Sequence, residues 1–212
     1  MLFSFQGNVT EALPRFHLCN TRLVPKFAGY GIYKELNSLG YRTSMIQFRD
    51  CVQLWYDDEN ITKHIISEIS SSVNKLAPRH VVFLGSSAGG FAALKYANLS
   101  DIIDSHITQQ VIANGPQCDV FSGSFMRKEE SYREALWKMN GAHPITLEKY
   151  WVKNDKNVTI FYGDKCEDDI IAASQIRSIS EDAKFIPINS KDHAPAKKKD
   201  FIWQILSKFH KI

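Results

Sequence analysis

Val81-Val82-Phe83-Leu84-Gly85-Ser86-Ser87-Ala88-Gly89-Gly90-Phe91-Ala92-Ala93-Leu94 is the stretch that decides how the rest of the chain is read. Four apolar residues lead into Gly85-x-Ser87-x-Gly89, and small and apolar residues lead out at helical spacing. A strand that turns this sharply into a helix lifts the central serine clear of the chain, with its hydroxyl presented at the end of the strand. Side chains at Gly85 or Gly89 would meet backbone passing close by, so glycine is needed at both. Ser87 is the candidate nucleophile. A turn used only for packing or phosphate binding is the competing reading, but no Lys-Ser or Lys-Thr follows the glycines, which argues against a P-loop.

The 212 residues, 44% hydrophobic and 23% charged, suffice for one globular domain with a substantial core, and this excludes a disordered chain. A net charge of +3 is too small for a nucleic-acid binder, and Lys197-Lys198-Lys199 reads as a solvated helix start. The four cysteines, Cys19, Cys51, Cys118 and Cys166, have no C-x-x-C spacing. Neither a metal site nor a disulfide framework is expected, and reduced thiols point to the cytoplasm. Gln6, Gly7 and Asn8 interrupt the N-terminal apolar run before it reaches signal-peptide length, and no segment approaches a membrane span. Direct membrane insertion is not expected.

Strands and helices alternate along the chain. Strands are expected at Leu2 to Phe5, Arg42 to Phe48, Val81 to Leu84, Gln110 to Ala113, Val158 to Tyr162 and Lys184 to Ile188. Helices are expected at Tyr30 to Leu39, at Ile61 to Leu76, after Ser87, and at Phe201 to Phe209. This βαβ rhythm implies a mainly parallel central sheet flanked by helices, in a single α/β domain over 1–212. From about residue 121 to 151 an aromatic and charged stretch breaks the rhythm and reads as a small helical cap. Its Phe121, Phe125, Tyr132, Trp137 and Met139, with Trp151, either shape a substrate pocket or pack the cap onto the core.

A serine hydroxyl needs a base and an orienting acid to act as a nucleophile at neutral pH. A serine on such a strand-turn-helix resembles that of the α/β-hydrolase superfamily, whose chain order is Ser, acid, His, and this resemblance implies that both partners lie downstream. Of the seven histidines, His193 alone falls between the final strand and the final helix, in Asn189-Ser190-Lys191-Asp192-His193-Ala194-Pro195. The acid belongs to the loop Tyr162-Gly163-Asp164-Lys165-Cys166-Glu167-Asp168-Asp169. Asp169 is the choice, at the end of that loop beside the next helix, with Asp164 and Asp168 as alternatives. The oxyanion hole draws on the N–H of Ala88 and on the loop after the first strand, at Gln6, Gly7 and Asn8.

These segments carry a resemblance. Together with Phe3-Ser4-Phe5-Gln6-Gly7, Phe48-Arg49-Asp50, Trp55-Tyr56, Tyr162-Gly163 and Cys166-Glu167, they make the chain similar to the α/β-hydrolase superfamily over nearly its whole length. More narrowly, the chain resembles small bacterial hydrolase-like proteins of surface or capsular polysaccharide biosynthesis, some of which are sugar O-acetyltransferases. The resemblance implies a trimmed α/β-hydrolase fold, a Ser-Asp-His triad and an acyl-enzyme intermediate. Cys166 departs from it, since the acid commonly stands at that position. Arg49-Asp50 and Trp55-Tyr56 either border the site and bind a sugar or simply cover a loop.

Three functions are compatible with these residues. Carboxylic ester hydrolysis leads, with no cofactor and no metal and with a small acyl ester as substrate. The second is O-acetyl transfer to a bacterial polysaccharide or sugar, with acetyl-CoA as donor and a glycan as acceptor. The third is a binding or assembly module that keeps the fold without the chemistry.

Overall fold

A computed structural model of the chain describes residues 1–5, 28–48, 55–99, 106–122, 130–151, 157–180 and 182–209. Its strands are short apolar runs whose alternate residues serve two cores. In β1 (Leu2–Phe5) and β3 (His80–Ser86), Phe3, Phe5, Val81 and Phe83 face one side, while Leu2, Val82 and Leu84 face the other. Burial on both faces is what a parallel sheet covered by helices requires.

The remaining strands are β2 (Met45–Phe48), β4 (Thr108–Asn114), β5 (Asn157–Gly163) and β6 (Lys184–Ile188). They form one six-stranded sheet in the order β2-β1-β3-β4-β5-β6, and every pairing in it is parallel, where the sequence implied only a mainly parallel sheet. β2 is shorter than the expected Arg42 to Phe48, because its one neighbour, β1, offers four residues for pairing.

Helices α1 (Ala28–Ser38) and α6 (Lys198–Phe209) cover one face through Ile32, Leu36, Phe201, Ile202 and Ile205. Helices α2 (Glu59–Leu76), α3 (Ala88–Leu99) and α5 (Glu167–Ile179) cover the other. α2 begins two residues ahead of the expected Ile61 because the Asp58 carboxylate caps it, accepting from the N–H groups of Asn60 and Ile61. α1 ends at Gly40, whose φ of 88° lets the Tyr41 N–H reach back to the Leu36 carbonyl.

Between β4 and β5, where a helical cap was expected, the described residues form α4 (Glu130–Met139) and a 3-10 turn at Glu148–Tyr150. An antiparallel bridge from Asp119 to Thr146 joins the two ends of this segment.

The strand order fixes where a site can form. From β1 the chain moves outward to β2, then returns past β1 to β3 and builds the other half of the sheet. Such a reversal opens a crevice at the carboxyl ends of the strands. Ser87 lies there, directly after β3.

Candidate active site

Gly85 ends the buried part of β3 where α3 folds back against it. A Cβ on Gly85 would lie 2.1 Å from the Gly89 carbonyl oxygen, so no larger residue fits. Ser87 sits between strand and helix with φ of 55°, a left-handed conformation that costs a non-glycine residue about 1 kcal/mol or more. Its N–H donates to the Asn114 carbonyl at 2.9 Å, and its carbonyl accepts from Phe91, which fixes the turn at both ends.

The sequence places His193 on the β6–α6 loop and Asp169 at the end of the loop after β5; in the structure Asp169 lies in the first turn of α5, and the fold brings both to Ser87. The Ser87 Oγ is 2.9 Å from His193 Nε2, and His193 Nδ1 is 2.5 Å from Asp169 Oδ1. Asp169 reaches the histidine because helical side chains lean back toward the N-terminus. Its Oδ2 accepts from the backbone N–H of Gly163 at 2.8 Å and of Ala194 at 3.1 Å. The carboxylate is 2% exposed and multiply hydrogen-bonded. Of the alternatives for the acid, Asp164 is exposed and Asp168 half-buried; the carboxylate bonded to His193 is that of Asp169. Gly163 is needed where the loops converge, since a Cβ there would lie 2.8 Å from the Asp192 carbonyl oxygen.

Two residues that the sequence did not single out complete the arrangement. Asn114, at the end of β4, is opposite Ser86 in the ladder. Its amide donates to the Ser86 Oγ at 3.1 Å and the Ala194 carbonyl at 2.7 Å, while its Oδ1 accepts from the Ala196 N–H at 2.9 Å. One buried side chain thus ties the serine turn to the histidine loop. Gln117 brings its Nε2 to 3.2 Å from His193 Nε2. With Nδ1–H donated to Asp169, Nε2 accepts from both the serine hydroxyl and the glutamine amide.

Ala88 is the first residue of α3, so its N–H is among the four that an α-helix leaves unpaired at its start. Gln6, Gly7 and Asn8 lie outside the described residues. Phe5 before them pairs opposite Gly85.

No protein-family model matches the sequence, and no curated protein is similar to it. Solved structures are similar in fold. The capsule O-acetyltransferase of Neisseria meningitidis serogroup A superposes with a TM-score of 0.63 at 14% identity, over 97% of this chain and 86% of the other. A complex of a variant of that protein with CoA gives 0.51 at 15% identity, over 76% and 69%. MenH from S. aureus gives 0.53 at 11% identity, over 97% and 91%. The chain has the α/β-hydrolase fold. One of these neighbours is named an O-acetyltransferase, and the chain's own chemistry has to be argued from its site.

In this α/β-hydrolase fold helix α3, which follows Ser87, is anchored by a buried polar cluster. Lys95, 1% exposed, donates to Asp57 Oδ1 at 2.6 Å, the Tyr56 carbonyl at 2.8 Å and Thr62 Oγ1 at 3.0 Å. Tyr150 donates to the same Asp57 oxygen. Burial lowers the Lys95 ammonium from its ordinary range, opposed by Asp57 beside it, and burial together with Asp57 raises the Tyr150 phenol. The cluster joins α3, the start of α2 and the end of the β4–β5 segment.

Of the two readings open to the aromatics, packing fits those that the structure describes. Trp55 and Tyr56 are 3% and 1% exposed and pack on Phe91 and Phe5, so they belong to the core and present no open face to a sugar. Phe121 and Trp151 pack against the core and Trp137 lies edge-on to Phe121, which is packing of the segment onto the fold. The side chains of Tyr132 and Met139 are not among those described, and Phe125, Arg49 and Asp50 lie outside the described residues, as do Cys19 and Cys51. Cys118 and Cys166 are free thiols. No helix among the described residues is long and apolar enough to cross a membrane.

Proposed function

We propose that the protein is a serine acyl-transfer enzyme in which Ser87 is the nucleophile, His193 the general base and Asp169 the acid that orients it. The observation that carries this reading is the continuous hydrogen-bonded chain from Ser87 Oγ through both nitrogens of His193 to a buried carboxylate, with the serine held at positive φ. His193 Nε2 takes the hydroxyl proton as Ser87 attacks an acyl carbonyl, and Asp169 stabilises the imidazolium that forms. The Ala88 N–H at the start of α3, with a donor from Gln6, Gly7 or Asn8, receives the developing oxyanion. His193 returns its proton to the leaving group, and the acyl-enzyme then passes its acyl group to an incoming hydroxyl.

Water as that hydroxyl makes the protein a carboxylic ester hydrolase, the activity we assign first. A sugar hydroxyl in its place makes it an O-acetyltransferase, with acetyl-CoA as donor and a glycan as acceptor. The likeness to the capsule O-acetyltransferase over most of both chains, and the CoA complex of that protein, favour this second reading. The segment at about 121–151 would act as the cap over the acyl group, and a cytoplasmic location would give access to acetyl-CoA.

The test is hydrolysis of p-nitrophenyl acetate, with and without oligosaccharide acceptors. The wild type is expected to give a burst followed by turnover, and Ser87→Ala to lose at least about 10⁴-fold in kcat. Full activity in that variant removes the serine mechanism. Acetylated saccharide detected by mass, formed at the expense of acetate, identifies transfer.

A further inference from the structure

We propose that Cys166, Asp169 and His193 form an inhibitory site for a borderline-soft divalent metal ion such as Zn²⁺, which silences the enzyme by forcing His193 into the tautomer that cannot deprotonate Ser87. The metal site stands on the geometry alone; its effect on activity rests on the reading of Ser87 as nucleophile and His193 as base.

The three residues offer one sulfur, one oxygen and one nitrogen, all within 4.8 Å of one another. Thiolate, carboxylate and imidazole are the ligand set of tetrahedral zinc, with the fourth position left to solvent. Backbone hydrogen bonds anchor the segments that carry the three ligands. Asp169 Oδ2 is already held by the N–H groups of Gly163 and Ala194, which leaves Oδ1 directed at His193 Nδ1, 2.5 Å away. Cys166 precedes Asp169 by one helical turn, and its own N–H is bonded to the Gly163 carbonyl at 3.2 Å. The neighbouring Lys165 N–H is bonded to Ser190, on the loop that carries His193. The His193 side chain is 37% exposed and Cys166 is half-buried, so the cluster borders solvent. Metal–ligand bonds of about 2.0 to 2.3 Å require the sulfur to swing inward and the Asp169 and His193 atoms to spread by somewhat under 1 Å, within reach of side-chain rotation.

The proton bookkeeping explains the inhibition. Cys166 gives up its thiol proton to solvent and binds as thiolate. The metal takes the Nδ1 lone pair, and the single N–H of the neutral imidazole moves from Nδ1 to Nε2. Nε2 then donates instead of accepting, so it cannot receive the Ser87 proton. No electron changes hands, and a chelator reverses every step.

Two arms test the proposal on the full-length protein. In the first, Co²⁺ is titrated in and the thiolate-to-cobalt charge-transfer absorption is followed for the wild type, Cys166→Ala and His193→Gln. A band in the wild type that Zn²⁺ displaces and both variants lack supports the site; no band, or one that survives in either variant, overturns it. In the second arm, Zn²⁺ inhibition of p-nitrophenyl acetate hydrolysis is measured, with each protein referred to its own metal-free rate. Half-inhibition is expected to need about tenfold or more Zn²⁺ in Cys166→Ala, and to be reversed by chelator in the wild type. Equal sensitivity of the two proteins overturns the inhibitory role. A cobalt band with these dependences in a protein that hydrolyses no ester supports the metal site while removing the serine mechanism, so the two failures are distinguishable.

Discussion

Asp169 accepts from His193 and from two backbone N–H groups, and those bonds distinguish it from the other carboxylates of its loop. Asp169→Asn would present an amide to His193 and stabilise the wrong tautomer, so kcat for ester hydrolysis is expected to fall about 10⁴-fold. Asp164→Asn and Asp168→Asn are expected to stay within about threefold of wild type, and full kcat in the Asp169 variant would contradict its role. Asn114 acts through other groups. Asn114→Leu leaves the Ala194 carbonyl and the Ala196 N–H without their partner, and about 1 to 3 kcal/mol of stability should be lost in urea unfolding. Ser87, His193 and Asp169 were legible in the sequence because each sits at a strand end or helix start that the apolar rhythm locates. Asn114 and Gln117 were not, since Asn114-Gly115-Pro116 reads as an ordinary turn and its bonds span about eighty residues of chain.

Among the elements, the β3–α3 turn is the least tolerant of change. Gly85→Ala sets a methyl group against the Gly89 carbonyl, backbone that cannot swing aside, and a loss of more than about 4 kcal/mol, or failure to fold, is expected from circular dichroism and denaturant titration. α3 is also held from its far end. Lys95→Met leaves Asp57 charged, buried and without its cation, at a cost of about 3 to 5 kcal/mol, whereas the double change with Asp57→Leu should regain much of the loss. Denaturant midpoints of the two variants check this. The sheet was readable because strands buried on both faces give continuous apolar runs. The Lys95 cluster was not: a lysine inside a helical pattern reads as solvated until the fold closes over it.

At the scale of the whole molecule, alkaline pH should loosen the fold. Burial pushes the Cys118 thiol up from 9.0 to about 11, so the native state holds a proton that the unfolded chain gives up earlier. A raised pKa contributes stability that is complete below the unfolded value and is lost as pH rises through the folded one. Thermal unfolding should therefore show a Tm that falls between pH 9.0 and about 11, and Cys118→Ala should flatten that fall by an amount on the order of 2 kcal/mol. An identical slope in the variant would place the alkaline loss elsewhere. The layout of the molecule, with Ser87 at the sheet's reversal point, His193 on the loop after β6 and Asp169 in the first turn of α5, suits the acyl transfer through one serine that we propose. Intact-protein mass spectrometry after brief exposure to p-nitrophenyl acetate, with peptide mapping of the adduct, tests this most directly. One acetyl group on the peptide carrying Ser87, absent in Ser87→Ala, is the expected result; an unmodified wild type, or an adduct that persists in the variant, would contradict it.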